Sequence, residues 1–170
     1  MGKTNALEKT VLRFYDIDPS QLVNLLARFQ LKVQITATNK DIPGSFWGNE
    51  EAGLIGNQIF LRQDTPVHSA LHEACHFICM DAIRRKQLNT NAGNFQQEEN
   101  AVCYLQILLA DDLPSLGRQR MMTDMDAWGY SFRLGNTQNW FEQDSEESRT
   151  WLQKNKLINQ LNQSTYQLRC

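Results

Sequence analysis

Histidine is scarce in this chain, with three residues in 170. None follows position 76, so a three-histidine metal site of the H-E-x-x-H-x-x-G-x-x-H kind is excluded. Cysteine is also sparse. Cys75, Cys79, Cys103 and Cys170 form no C-x-x-C pair, which argues against a zinc knuckle, and the four-residue step from Cys75 to Cys79 does not suit a disulfide framework. Free thiols in a reducing cytoplasm are the expectation. There is no apolar run of about 18 residues, which excludes a transmembrane helix. Met1 to Ala6 lacks an apolar signal region, and Ala6 is not the Ser or Thr that myristoylation favours, so a cytoplasmic protein is expected. Excess charge is missing too. Seventeen basic residues stand against nineteen acidic ones, which offers nothing to hold nucleic acid or an anionic membrane. Arg84-Arg85-Lys86 is read as a solvated helix end, and Gly2-Lys3-Thr4 lacks the upstream glycine of a phosphate loop.

What the chain does have is concentrated. All three histidines fall between His68 and His76, and His72-Glu73-Ala74-Cys75-His76 is an H-E-x-x-H run. On a helix, positions i and i+4 share a face, so His72 and His76 can direct two imidazoles at one ion. Glu73 lies about 100° around the axis, near enough to handle a proton on metal-bound water without ligating. Thr65 reads as the N-cap and Pro66 as the first helical residue, with Leu71, Ala74, Phe77, Ile78 and Ala82 as the apolar stripe.

The rest predicts an α+β fold in a single domain over residues 1–162, with 163–170 a polar, disordered tail. Helices are expected at about 5–15 and after Asp18-Pro19, with Leu22, Leu25, Leu26 and Phe29 facing inward. Leu31 to Thr38 alternates as a half-buried strand, and Ser45-Phe46-Trp47 is a short strand candidate. Ala52–Ile55 and Gln58–Arg62 flank Gly56-Asn57 as a II′ hairpin. Arg84 to Gln96 reads as a loop, Gln97 to Ala110 as a long helix, and Met121 to Trp128 as another. Asp144 with Glu147 resembles a capping box opening the last helix.

The third ligand must come from downstream. Glu98-Glu99 opens the long helix, and Glu98 is preferred to Glu99 because Ala101 three residues on leaves room for the metal helix. The alternative is that both are solvated first-turn acids stabilised by the helix N-terminus. Asp81 would point about 140° away from His76. His68 reads as a polar residue at the start of the helix, with an outer hydrogen-bond donor or a substrate contact as alternatives.

Strands leading into an H-E-x-x-H helix, a loop, then Glu98-x-x-Ala101-x-x-Tyr104-x-x-x-Leu108-Leu109 resemble the zincin-fold gluzincins, and most of all the ImmA/IrrE-type metallopeptidases. The likeness covers roughly residues 45–114, with Val102, Leu105 and Ala110-Asp111 departing from the family pattern. It implies a zincin-like domain: a small antiparallel sheet packed on the H-E-x-x-H helix and a second ligand-bearing helix, with extra helices at both ends. It further implies Zn²⁺ held by His72, His76 and Glu98, and Glu73 as general base in hydrolysis of a peptide or protein substrate. The substrate could lie extended along the strand at 58–62 by edge pairing. Tyr130, Tyr104 and Arg133 are the candidates for oxyanion stabilisation. Ser69-Ala70-Leu71-His72-Glu73 with His76-Phe77 and Arg84-Arg85 is also similar to the elongation factor P hydroxylase family, which implies Fe²⁺ and hydroxylation instead. A non-catalytic, metal-stabilised binding protein is the third expectation.

Overall fold

A computed structural model describes residues 11–45, 49–87 and 96–170. Its architecture is α+β, with seven α-helices and one three-stranded sheet among the described residues. The first helix, α1 (Pro19–Ala27), starts as expected. The Asp18 carboxylate caps it by accepting from the Ser20 N–H at 3.0 Å, Pro19 takes the first turn, and Leu22, Leu25 and Leu26 are buried. The stretch before it is not the expected helix. Residues 5–10 lie outside the described residues, and only Phe14–Asp16 makes a short 3-10 turn. Tertiary partners take the amides that a helix would use: Leu12 N–H donates to Asp124, Phe14 N–H to the Thr65 carbonyl and Tyr15 N–H to that of Gln63.

Strands β1 (Lys32–Ile35), β2 (Gly53–Ile55) and β3 (Gln58–Leu61) lie in the order β1-β3-β2. The tight turn at Gly56, whose φ of 58° suits glycine, makes β2 and β3 an antiparallel hairpin as expected. β1, however, pairs parallel to β3, so the sheet is mixed rather than antiparallel. The long connection from 36 to 52 lets the chain cross the sheet and enter β2 on the far side of β3. Part of that connection runs hard against β2. A Cβ at Gly53 would come within 1.9 Å of the Pro43 carbonyl oxygen, so only glycine tolerates the approach. Of the candidate strand at 45–47, Ser45 is not in a strand and the other two residues lie outside the described residues.

The hairpin delivers the chain to α2 (Val67–Cys79), the H-E-x-x-H helix. Its N-cap position is Pro66, not Thr65; the Thr65 hydroxyl instead closes the preceding turn by accepting from the Arg62 N–H at 2.8 Å. A short helix, α3 (Ala82–Gln87), replaces part of the expected loop, because the Asp81 carboxylate caps it through the Arg84 N–H at 2.8 Å. Then come α4 (Gln96–Leu109), α5 (Gly117–Trp128), α6 (Thr137–Gln143) and α7 (Glu146–Lys154). Asp144 closes α6, its N–H donating to the Trp140 carbonyl, so the N-cap of α7 is Ser145. No helix among the described residues is long and apolar enough to cross a membrane.

The core runs between sheet, α2 and α4, where Ile59, Leu61, Leu71, Ile78, Leu105 and Ile107 are fully buried. Each such side chain contributes about 1.5–3 kcal/mol of transfer free energy. Residues 163–170, expected as a disordered tail, pack back onto this core. The Arg28 guanidinium stacks over the Tyr166 ring, the Tyr166 hydroxyl donates to Asp112, and Arg169 reaches the end of α2. Three of the four cysteines are buried and all four are free.

Candidate metal centre

Helices α2 and α4 pack against one another, and the chemistry lies on the seam. The one-turn spacing on α2 brings the Nε2 atoms of His72 and His76 to 3.2 Å from each other. From the first turn of α4 the Glu99 carboxylate meets both, Oε1 at 3.0 Å from His72 Nε2 and Oε2 at 3.1 Å from His76 Nε2. The imidazoles are largely buried (16% and 11% exposed) while the carboxylate is 41% exposed, so the cluster opens at Glu99. These donors suit one cation. Two zinc–nitrogen bonds of about 2.0–2.1 Å, with nitrogens separated as here, subtend roughly 100–106°, close to tetrahedral. His76 Nδ1 is buried with no partner among the described residues, so its ring is not turned towards a competing acceptor.

The downstream acid at the histidines is therefore Glu99 and not Glu98, which corrects the sequence expectation. Glu98 is 7% exposed and points the other way, held by the Arg84 guanidinium at 3.0 and 2.5 Å and by Arg169 at 3.2 Å. Those arginines tie it to the end of α2. Arg169 donates from its backbone to the Ile78 carbonyl and from Nη1 to that of Cys79, while Arg85 donates to the carbonyls of Phe77 and Met80. The carbonyls that a helix end leaves unpaired are thus satisfied by side chains. Glu98 fixes the N-terminus of α4 against the C-terminus of α2, and so sets where the next residue, Glu99, presents its carboxylate.

Behind the histidines lies a buried polar layer. Gln106, fully buried on α4, accepts through Oε1 from His72 Nδ1 at 2.9 Å and donates through Nε2 to the His68 carbonyl at 3.0 Å. His68 is not a polar residue at the surface: it is 1% exposed, packed edge-on to the rings of Trp128 and Tyr130, with Nδ1 3.2 Å from the Tyr130 hydroxyl. Burial, aided by the charges of His72 and Arg13, lowers its pKa to about 3, so it is neutral. Burial likewise pushes the Tyr130 phenol up to about 12. For His72 burial opposes the cation, but Tyr130, Cys103 and Glu99 outweigh it and the pKa is raised well above 6.5. Burial also works against ionisation of Glu99, yet hydrogen bonds from His72 and His76 hold its carboxyl well below the usual range.

The chain matches no protein-family model, no curated protein and no solved structure. What the site can do follows from its own groups.

Glu73 lies beside the cluster, and no hydrogen bond or ion pair engages its carboxylate among the described residues. Burial raises its pKa above the ordinary range, with the charges of His72 and His76 pulling the other way. That is the environment of a carboxylate available for proton transfer. Other expected participants are elsewhere. Asp81 pairs with Arg84, the Tyr104 hydroxyl donates to Asn162 with its ring stacked on Phe141, and Arg133 is exposed near Asp144. Tyr130 does reach the site, its ring centroid 5.6 Å from that of His72, but its hydroxyl is turned to His68. The strand at 58–62 cannot pair with an extended peptide, since β3 is the central strand and is flanked on both sides. Gln106 and the buried role of His68 were not read from the sequence.

Proposed function

We propose that this protein is a zinc-dependent hydrolase of the zincin kind, acting on a peptide or protein substrate, with His72, His76 and Glu99 as metal ligands and Glu73 as the general base. The observation that carries the reading is the convergence of both Nε2 atoms and one bidentate-capable carboxylate within 3.0–3.2 Å. A bound Zn²⁺ would polarise a carbonyl and lower the pKa of its water towards neutrality. The chain's own residues do the rest. Glu73 takes the proton from the attacking water and returns it to the departing amine, a shuttle that its burial-raised pKa favours. His72 is held by Gln106, and Glu99, at the open side of the cluster, leaves an approach for substrate. Metal analysis of the purified protein together with Glu73→Gln tests this. Zinc bound in both forms with hydrolysis lost in the variant supports it; absence of any bound transition metal overturns it.

A second reading is favoured by the donor set itself. Two histidines and one carboxylate on a face are the ligands of non-haem Fe²⁺ oxygenases. Iron in protein purified without oxygen, and oxygen-dependent hydroxylation of a protein side chain that persists in Glu73→Gln, would select it over hydrolysis.

A further inference from the structure

We infer that Gln106 is the positioning residue of the metal centre, the group that sets the tautomer of His72 so that its Nε2 presents a lone pair to the cation. The inference rests on the metal-ligand reading above and goes beyond it by assigning a residue that touches neither metal nor substrate.

The two ends of the Gln106 amide are told apart by what they face. One end lies 3.0 Å from the His68 carbonyl oxygen and 3.4 Å from the Met121 thioether sulfur. A carbonyl and a thioether only accept, so this end is the NH₂. The other end, 2.9 Å from His72 Nδ1, is therefore the carbonyl oxygen, which only accepts. Nδ1 must carry the proton. A ligating imidazole is neutral and has a single N–H, so in the metal-bound state Nε2 would bear the lone pair, and Nε2 is the atom that faces His76 and Glu99. Rotating the amide by half a turn would set two donors against each other at Nδ1 or two acceptors at His68. With Gln106 fully buried, no water can relieve either clash.

The arrangement also couples two turns of one helix. The His68 carbonyl is on α2 one turn before His72, so Gln106 holds the backbone of the first turn and the side chain of the second from a single point on α4. His76 has no such support: its Nδ1 is buried and without a partner among the described residues. The two rings are thus unequal: His72 is fixed in tautomer and ring angle, whereas His76 is held by packing and would gain its further support from a bound ion. Metal-ligating histidines generally depend on an acceptor at the far nitrogen, and its loss costs about 10–100-fold in metal affinity.

The test measures zinc affinity by competition with a chromophoric chelator for the full chain, Gln106→Met and Gln106→Glu, alongside circular dichroism of each metal-free form. It adds long-range ¹H–¹⁵N correlation of the His72 ring in the zinc-loaded wild type. Gln106→Met keeps the volume and removes the acceptor, so it should fold and bind zinc about 10–100-fold more weakly. Gln106→Glu keeps the acceptor at Nδ1 and, protonated in this buried site, still donates to the His68 carbonyl, so it should stay within a few-fold of wild type. The ring spectrum should place the proton on Nδ1 and show it shifted downfield by its hydrogen bond to Gln106 Oε1, a shift that Gln106→Met should lose and that a purely structural role would not move. Equal affinity in wild type and Gln106→Met, or a proton on Nε2, overturns the assignment. If Gln106→Met does not fold, Gln106→Glu and the wild-type spectrum decide. A wild type that binds zinc beside an unaffected Gln106→Met rejects Gln106 alone, whereas a wild type that binds no zinc rejects the metal centre with it.

Discussion

Glu98 and Glu99 are adjacent and chemically identical but face opposite ways, so on the proposed metal-centre reading replacing each by alanine separates stability from metal binding. At position 98 the substitution removes a carboxylate that is 7% exposed and leaves Arg84 and Arg169 without it. Breaking one partner out of a buried ion pair costs about 3–5 kcal/mol. Here the two guanidiniums are themselves 27% and 25% exposed, so water re-solvates them in part and about 2 kcal/mol is the better expectation. For a chain of this size that lowers the melting temperature by about 4–8 °C. At position 99 the carboxylate is 41% exposed and its pairing with the histidines is screened, so Glu99→Ala should cost under about 1 kcal/mol in the metal-free protein. Its effect appears in zinc binding, which should weaken by more than the roughly 10–100-fold that loss of an outer hydrogen-bond partner brings. Glu98→Ala, if folded, should change zinc affinity by less than about tenfold, through the position of the helix start. The assay is a thermal melt of each metal-free variant followed by a zinc titration well below the melting range. A destabilised Glu99→Ala with full zinc affinity beside a stable, zinc-free Glu98→Ala would refute the placement of both side chains.

Glu73→Gln should bind zinc as wild type does and lose hydrolysis of a peptide library read by mass spectrometry; loss of zinc instead would make Glu73 a ligand. The pH dependence of metal-free stability has two limbs of opposite sign. The raised pKa of His72 gives a contribution complete below about pH 6.5 and lost as pH rises through the folded value. The depressed pKa of Glu99 gives one present above about pH 4.5 and lost as pH falls through its folded value. Urea midpoints of the metal-free protein should therefore fall on both sides of a mildly acidic optimum, and Glu99→Ala should remove the acidic limb and only reduce the other. Gly53→Ala forces the Pro43 segment away from β2, and should cost about 1–3 kcal/mol by denaturant melt; an unchanged midpoint would contradict the close approach.

Local signals in the chain were legible where the physics is local. Asp18-Pro19 started its helix and the glycine turn at 56 made its hairpin, because a cap or a positive φ needs no distant partner. Where the outcome depended on a remote partner, residue patterns misled. Leu12, Phe14 and Tyr15 spend their amides on Asp124, Thr65 and Gln63, and Thr65 spends its hydroxyl on Arg62. Strand direction was equally opaque. Nothing in the alternation of Leu31, Val33 and Ile35 says whether β1 runs with or against β3, and that was settled by the connection crossing to β2.

The acid that meets the histidines shows what a sharper reading uses. Preference for Glu98 rested on the small Ala101 after it, a cue about helix proximity that does not say which acid faces the histidines. A better cue lies further along the same helix. Gln106 is the one amide in the apolar run Ala101 to Ala110, and a buried amide there must face other polar groups. Counting back seven residues, two helical turns with a residual rotation of only about 20°, arrives at Glu99; Glu98 is about 80° off that line. The isolated polar residue marks the azimuth of the site, and the acid that shares its azimuth is the one that meets the histidines. By the same reasoning, moving the amide one position, as in Gln106→Ile with Ile107→Gln, sets it among apolar core side chains, so the double variant should melt lower than wild type and, below its melting range, bind zinc at least as weakly as Gln106→Met. An unaltered affinity in that double variant would show that the line from Glu99 to Gln106 has no part in holding His72.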